Sequence, residues 1–193
     1  VIDIQMFKIK LFFIIFISSK LLSQELPPIQ SFMMDDYNAS GQNWMISQSS
    51  NGDIFFANND GLLVYNGNKW NSYSSTSNTI FRSVNSINDI VYTGENSDFG
   101  FWIKQKNGSY IYTSIPNKYE FELFEDEEFW NILEFKNWIV FQSLDRFIFF
   151  DPISEVISSI TPTGGVFKSF IIDNNLFFSI NGQGIFKIDG GNY

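Results

Sequence analysis

Five residues of this chain combine side-chain types and positions suited to binding a small ligand. They lie near the starts of recurring apolar segments and are Trp44, Arg82, Trp130, Asn131 and Lys168. An indole ring offers a flat apolar face that suits a sugar ring, and a guanidinium group offers forked hydrogen-bond donors. The alternative interpretation is that both tryptophans pack in a hydrophobic core. The residue types alone leave both interpretations open.

The positions of these candidates follow from an alignment of four aromatic residues. Their spacings along the chain are 37, 49 and 37 residues, and the four are Trp44, Phe81, Trp130 and Phe167. If each aromatic opens the innermost strand of a repeated unit, the next residue should lie near a common axis. The residues in that next position are Met45, Arg82, Asn131 and Lys168.

The longest interval between these aromatics contains an acidic segment, residues 119–129, with the sequence YEFELFEDEEF. Its six carboxylates are Glu120, Glu122, Glu125, Asp126, Glu127 and Glu128. Carboxylates so close together occur in cation sites and in the acid pairs of glycosidases. Like charges in a row also avoid burial, so we expect a solvated insertion between two repeated units.

The composition excludes several kinds of catalytic and cofactor site. The chain has no histidine and no cysteine, so it has no Ser-His-Asp or Cys-His nucleophile and no thiolate or imidazole zinc site. Four glycines, Gly52, Gly61, Gly67 and Gly94, fall at predicted hairpin ends, and the glycines form no phosphate-binding loop. The net charge of −9 disfavours nucleic-acid binding. We therefore predict no cofactor, no metal site, no catalytic residue and no nucleic-acid partner for this segment.

The candidates are predicted to lie on sheets because one pattern of short apolar runs occurs four times. The first copy, residues 43–70, reads NWMISQSSNGDIFFANNDGLLVYNGNKW. Its Asn-Gly and Asp-Gly pairs favour tight hairpins between strands. Four short strands in repeats of roughly 40 residues are typical of propeller blades. A β-sandwich or a barrel also uses short strands, but neither requires the same four-strand unit to recur.

We therefore predict an all-β protein, a β-propeller of about four four-stranded antiparallel blades. The blades are expected at residues 44–75, 81–115, 130–161 and 167–193. Segments such as WIVF and RFIFF in the third copy are apolar on both faces, as expected of a sheet with a neighbour on each side. The fourth copy lacks an outer strand, which an N-terminal strand at residues 29–36 would supply if a small ring closed.

Residues 1–24 are predicted to be a signal peptide with a short upstream extension. Met6 opens the cationic stretch MFKIK, and the apolar run LFFIIFI follows. This layout is that of a secretory signal, and the run is far shorter than the ~20 residues needed to cross a bilayer as a helix. With this signal peptide removed, residues 25–193 would form the mature partial propeller. The alternative is that the apolar run is a buried strand or helix of the domain.

Several motifs give the chain a resemblance to a family of bacterial sensors. The motifs QNW and ANNDGLLVYNG, followed by FRSV and ENSDFGFW, resemble those of two-component regulator propellers. More narrowly, they are similar to the N-terminal periplasmic sensor region of Bacteroidetes membrane-bound regulators, either LuxR-type or hybrid histidine kinases. The resemblance implies that this chain is a fragment. The complete protein would have a larger ring of about seven blades, a triple-tyrosine immunoglobulin-like domain, a membrane helix and a cytoplasmic effector.

The resemblance implies a ligand-sensing module and not an enzyme. We expect an exported chain on the periplasmic side of the inner membrane, attached to it only through a downstream helix. The expected partners are an oligosaccharide or another small extracellular ligand, and a second copy bound through the propellers. The effector would regulate transcription. Two other classes stay open: a secreted propeller enzyme, a glycosidase or lyase using the carboxylates of residues 120–128, and a non-catalytic interaction scaffold.

Overall fold

The computed structural model describes residues 4–10, 12 and 27–189. The chain divides into two compact units, Val1–Phe32 and Met33–Tyr193. In the first unit, residues 4–10 and 12 are helical, and residues 27–32 have no regular secondary structure. Most of the predicted signal peptide lies outside the described residues, so it stays a prediction. No helix in the described part of the chain is long and apolar enough to cross a membrane.

The described residues of the second unit, 33–189, form four antiparallel sheets and two short helices. Sheet 1 contains β1 (Asn43–Gln48), β2 (Ile54–Asn58), β3 (Gly61–Tyr65) and β4 (Trp70–Tyr73). Sheet 2 contains β5 (Phe81–Ile87), β6 (Ile90–Glu95), β7 (Phe99–Lys104) and β8 (Tyr110–Ser114). Sheet 3 contains β9 (Asn131–Phe135), β10 (Trp138–Gln142), β11 (Phe147–Phe150) and β12 (Ile157–Ile160). Sheet 4 contains β13 (Lys168–Ile172), β14 (Asn175–Ile180) and β15 (Gly184–Ile188). The helices are α1 (Met34–Tyr37) and α2 (Ile115–Tyr119).

Each sheet is a meander, in which consecutive strands are hydrogen-bonded neighbours. Asn88 and Asp89, with φ of 51° and 62°, join β5 to β6. Asp173 and Asn174, with φ of 47° and 58°, join β13 to β14. Two consecutive left-handed residues give a two-residue hairpin whose twist matches that of the strands, and Asn and Asp tolerate this conformation well. The polar pairs seen in the sequence therefore define these turns.

Successive sheets pack face to face through three hydrophobic clusters. Phe55 of sheet 1 packs in one cluster with Phe81 and Trp102 of sheet 2. A second cluster joins sheets 2 and 3, and a third joins sheets 3 and 4. Sheets 2 and 3 are therefore covered on both faces, and all four residues of β11 are buried. A two-layer sandwich would leave one face of each sheet uncovered, so this arrangement confirms the prediction of propeller blades.

Polar side chains also link the first strands of successive sheets. Ser47 on β1 accepts a hydrogen bond from the Ser86 backbone on β5, at 2.9 Å. Asn85 on β5 donates to the Ile132 carbonyl on β9, at 3.0 Å. Asn131 on β9 donates in turn to the Ser169 carbonyl on β13, at 3.2 Å. The strands β1, β5, β9 and β13 therefore follow one another as the innermost strands of adjacent blades.

The structure differs from the sequence prediction at residues 29–36. No strand forms there: residues 29–33 are irregular, and helix α1 begins at Met34. Within the second unit, Tyr37 of this helix packs on Trp70 of β4, with ring centroids 5.4 Å apart. The helix therefore covers blade 1 and does not complete blade 4. In the described part of the chain, blade 4 has three strands.

Candidate ligand-binding site

Arg82 packs against the indole rings of two tryptophans that come from different parts of the chain. Its Cζ atom is 4.5 Å from the ring centroid of Trp44 and 4.7 Å from that of Trp130. The two indoles meet edge to face, with centroids 5.6 Å apart and an interplanar angle of 86°. A guanidinium at this distance from an indole is attracted to the ring face by about 0.5–2 kcal/mol. We call these three residues the Trp-Arg-Trp cluster.

Two β-bulges direct the first two members into this cluster. In sheet 1, Asn43 pairs with Asn58 but Met45 pairs with Ala57, so Trp44 is the extra residue. In sheet 2, Phe81 pairs with Glu95 but Ser83 pairs with Gly94, so Arg82 is the extra residue. A bulge bends its strand and redirects a side chain. Trp130 instead lies just before β9, where its backbone N–H donates to the Gln142 carbonyl at 2.8 Å.

These bulges correct the alignment made from the sequence. The pairing register makes Trp44 the structural equivalent of Arg82, and it makes Asn43 the equivalent of Phe81. Trp44 therefore corresponds to Arg82 and not to Phe81, one position away from the sequence alignment. The candidates still come together, because both bulge residues point toward the segment that precedes β9.

Glu128 completes the surroundings of Arg82. Its Oε1 atom accepts hydrogen bonds from Arg82 Nε at 3.2 Å and from Arg82 Nη2 at 2.7 Å. The Arg82 and Glu128 side chains are 13% and 25% exposed. The charge of the guanidinium is therefore compensated by Glu128, next to the cluster. Glu128 was counted in the sequence only as part of an acidic insertion.

The two tryptophans differ in how much of each ring is accessible. Trp44 is 41% exposed, and its Nε1–H donates to Asn59 Oδ1 at 2.8 Å, which fixes the ring orientation. Trp130 is half-buried, and its buried Nε1 atom has no hydrogen-bond partner in the described structure. Trp44 therefore offers a ring to solvent, whereas Trp130 mainly supports Arg82 and the blade contact.

The other two candidates lie outside this cluster. The Asn131 amide donates to the Ser169 carbonyl at 3.2 Å, and its Oδ1 atom accepts from the Ile132 N–H at 3.0 Å. The first bond joins blades 3 and 4, and the second lies within β9. Lys168 is exposed and forms no ion pair within the described residues. Among the described residues, neither Lys168 nor Asn131 forms a cation–π contact or a hydrogen bond with Trp44 or Trp130.

The acidic segment is only partly solvated. Glu120, Glu122, Glu125 and Asp126 are exposed, as expected. Glu127 is fully buried and pairs with Arg146, with bonds of 2.9 Å from Nε and 2.8 Å from Nη2. The expectation of a solvated insertion was therefore wrong for Glu127. Among the described residues, no group of three or more acidic side chains could hold a metal ion.

The fold and the cluster together define a segment of β-propeller with a candidate site at the start of its inner strands. No protein-family model and no curated protein matches the chain. This fold is shared by two solved structures of the extracellular domain of BT4673 from B. thetaiotaomicron. One describes BT4673 as a one-component system and the other as a hybrid two-component system. Each has a TM-score of 0.60 and 16% identity, and covers 78% of this chain.

A protein of unknown function from Bacteroides caccae is also similar, with a TM-score of 0.55 and 12% identity over 79% of this chain. The chain spans 20% of each BT4673 structure and 58% of the B. caccae protein. At these identities the likeness establishes the fold.

Proposed function

We propose that this chain is the exported sensing portion of a longer membrane-bound regulator. In this proposal the Trp-Arg-Trp cluster binds a small extracellular ligand, and a helix-turn-helix or histidine kinase effector outside this chain transmits the response to transcription. The observation that carries the proposal is the solvent-accessible Trp44 ring, held against Arg82 by contacts from three successive blades. The fold shared with extracellular domains of BT4673 supports it.

The position of the cluster supports a binding role. Trp44 and Arg82 lie at the beginnings of β1 and β5, and Trp130 directly precedes β9. These are the innermost strands, so their ends converge where the blades approach one another. A ligand at that position would touch several blades at once, and convergent polar and aromatic groups are typical of ligand sites.

The electrostatics of the cluster favour an uncharged sugar ring as the ligand. The ion pair with Glu128 leaves no uncompensated positive charge on Arg82 to attract an anion. The exposed indole provides the flat apolar face on which the C–H groups of a sugar can stack. A neutral oligosaccharide is therefore the ligand class that we propose, in preference to a uronate or a sulfated sugar.

The proposed signalling step is a shift between blade arrangements. A ligand that contacts Trp44 and Arg82 joins blades 1 and 2, and the contact of Arg82 with Trp130 extends this to blade 3. The ligand would then favour the blade arrangement that it binds more tightly, by as much as its affinities for the two arrangements differ. Association of two propellers would pass this preference to the downstream helices.

The enzyme alternative has less support. It needs free carboxylates that face one another, yet Glu127 is occupied by Arg146 and Glu128 by Arg82. The other four carboxylates of the segment are exposed. We therefore propose a non-catalytic role for this segment. A pure interaction scaffold would differ from the proposed sensor in having no small-molecule ligand.

Binding measurements on the full chain test the proposal. A panel of neutral, uronate-containing and sulfated oligosaccharides would be screened on an array, and the hits measured by calorimetry. We expect at least one neutral oligosaccharide to bind, and Trp44→Ala to weaken that binding at least tenfold. The matched control is Trp70→Ala, which removes an indole from the same blade outside the cluster. Equal loss in both variants, or silence across the panel, would contradict the proposal.

A further inference from the structure

Glu95 and Asp98 are two buried carboxyl groups at one end of the β6–β7 hairpin. The Glu95 N–H donates to the Asp98 carbonyl at 2.9 Å across the two intervening residues. Residues paired in this way direct their side chains to the same face of a sheet. Glu95 is 0% exposed and Asp98 is 3% exposed. The hairpin therefore places two acids side by side in the interior.

Hydroxyl groups surround Glu95. Its Oε2 atom accepts hydrogen bonds from Ser75, from Ser77 at 2.8 Å and from Thr79 at 3.4 Å. These three residues lie on the segment that joins blade 1 to blade 2. The Tyr112 hydroxyl lies near both carboxyl groups. Its ring occupies space that Gly100 leaves open, since a Cβ atom there would be 2.8 Å from the ring.

Asp98 is held by the sheet itself. Its Oδ1 atom accepts hydrogen bonds from the Phe99 N–H at 2.8 Å and from the Ser114 hydroxyl at 2.7 Å. Asp98 Oδ2 and Glu95 Oε1 have no partner with hydrogen-bond geometry in the described structure. Neither acid belongs to any of the four ion pairs of the described residues. A pair of buried anions without a cation is costly, so the site requires a proton.

Glu95 is the acid that gains and loses this proton near neutral pH. Burial, together with the nearby charge of Asp98, raises the pKa of Glu95 to about 7. Burial also raises the pKa of Asp98. The titratable groups that face Glu95 are Asp98 from the hairpin and Tyr112 from β8, whose own pKa is raised by burial and by both carboxylates. The chain has no histidine, the side chain that ordinarily titrates in this range.

The backbone of Glu95 is connected to the Trp-Arg-Trp cluster on two sides. Glu95 pairs with Phe81, the residue before Arg82. Its carbonyl accepts a hydrogen bond from the Phe129 N–H at 3.1 Å, and Phe129 lies between Glu128 and Trp130 in the chain. The neighbouring residue Asn96 forms a β-bridge with Glu128. The hairpin therefore supports Arg82, its ion-pair partner and the second indole.

We propose that Glu95 is a proton switch for the Trp-Arg-Trp cluster: when it is protonated the hairpin holds Arg82, Glu128 and Trp130 in the arrangement described, and when it ionises beside Asp98 that arrangement loosens. The switch would regulate the proposed ligand site, so its biological role rests on the proposed function. The conformational link itself requires no ligand.

Indole NMR signals of the full chain, labelled with ¹⁵N, test the switch without any ligand. The five tryptophans give five indole N–H signals. The variants Trp44→Phe, Trp130→Phe and Trp138→Phe assign the three that the test uses. In the wild type, the Trp44 and Trp130 signals should move with a midpoint near pH 7. They should not move over this range in Glu95→Gln, which imitates the protonated acid. Trp138, between blades 3 and 4, is the internal control and should stay still.

A second variant separates the switch from a local folding defect. Asp98→Asn removes the neighbouring charge and should move the midpoint to lower pH while the fold is kept. Titration of Trp44 and Trp130 that persists unchanged in Glu95→Gln would overturn the proposal. So would signals that respond to added Ca²⁺ and not to pH, because the acids would then form a cation site. Neither result bears on sugar binding, so the two proposals fail independently.

Discussion

Arg82 and Glu128 are 46 positions apart in the chain, yet Nη2 of one lies 2.7 Å from Oε1 of the other. The contact joins the bulge of β5 to the acidic segment before β9. It determines both the orientation of the guanidinium against the two indoles and the net charge that a ligand would meet. The first prediction concerns that charge.

Replacing Glu128 by Gln should change which sugars bind. The variant leaves the Arg82 charge uncompensated, so uronate-containing oligosaccharides should gain affinity by at least tenfold relative to neutral ones, measured by calorimetry. The stability cost should be about 1–3 kcal/mol, because both side chains are mostly buried and the pair lies between an exposed and a fully buried ion pair. Glu125→Gln, an exposed acid in the same segment, is the control. An identical sugar preference in both variants would contradict the proposed role of the ion pair.

The buried pair of Glu127 and Arg146 should matter for stability. Arg146→Met removes the cation and leaves Glu127 uncompensated, which typically costs about 3–5 kcal/mol. Urea unfolding followed by circular dichroism measures this. The double variant Glu127→Gln with Arg146→Met should recover part of the loss, because no buried charge remains. A single variant that is no less stable than the double one would show that the ion pair has no such role.

Ionisation of Glu95 should make the protein less stable as the pH rises. The pKa of Glu95 is raised from 4.5 to about 7 in the folded state, chiefly by burial. Between these values the folded protein holds a proton that the unfolded chain has lost, so the free energy of unfolding falls as pH increases. At about 1.4 kcal/mol for each pKa unit, the full loss is roughly 3 kcal/mol.

Glu95→Gln should remove this contribution to the pH dependence. Its free energy of unfolding, relative to that of the wild type, should increase between about pH 4.5 and pH 8. Glu134→Gln, on the neighbouring sheet, is a suitable control and should follow the wild type. Parallel curves for wild type and Glu95→Gln would count against a raised pKa.

The contact between blades 3 and 4 should depend on Phe178. This side chain is fully buried and packs on Phe147, with ring centroids 5.2 Å apart. Phe178→Ala should therefore cost about 3–5 kcal/mol, as is usual for removal of a buried ring. Phe167→Ala is the matched control, since Phe167 is 70% exposed. Similar losses in the two variants would mean that blade 4 does not pack as described.

The fold could be predicted because its determinants are local. The Asn88–Asp89 turn needs only two adjacent residues that accept positive φ, and the two-sided burial of β11 follows from an uninterrupted apolar run. The bulges could not be predicted, since an extra residue in a strand is visible only when its partner strand is known. The alignment of Trp44 was therefore one position away from its structural equivalent.

The ion-pair partners of Glu127 and Glu128 could not be predicted from the sequence either. Glu127 and Glu128 are adjacent, yet one is buried against Arg146 and the other pairs with Arg82. Only the three-dimensional arrangement distinguishes them from Glu125 and Asp126, which remain in solvent. Glu95 gave no signal at all, because a single acid in a strand is ordinary until its neighbours are known.

Each member of the Trp-Arg-Trp cluster belongs to a different wedge of the propeller, and this gives the cluster a property that no single blade has. A tilt of one wedge against the next by a few degrees would pull the guanidinium off a ring face. The environment of the Trp44 indole therefore depends on the angle between neighbouring blades. The fluorescence of this indole would report a change in that angle, whether a ligand, a proton or a neighbouring molecule causes it.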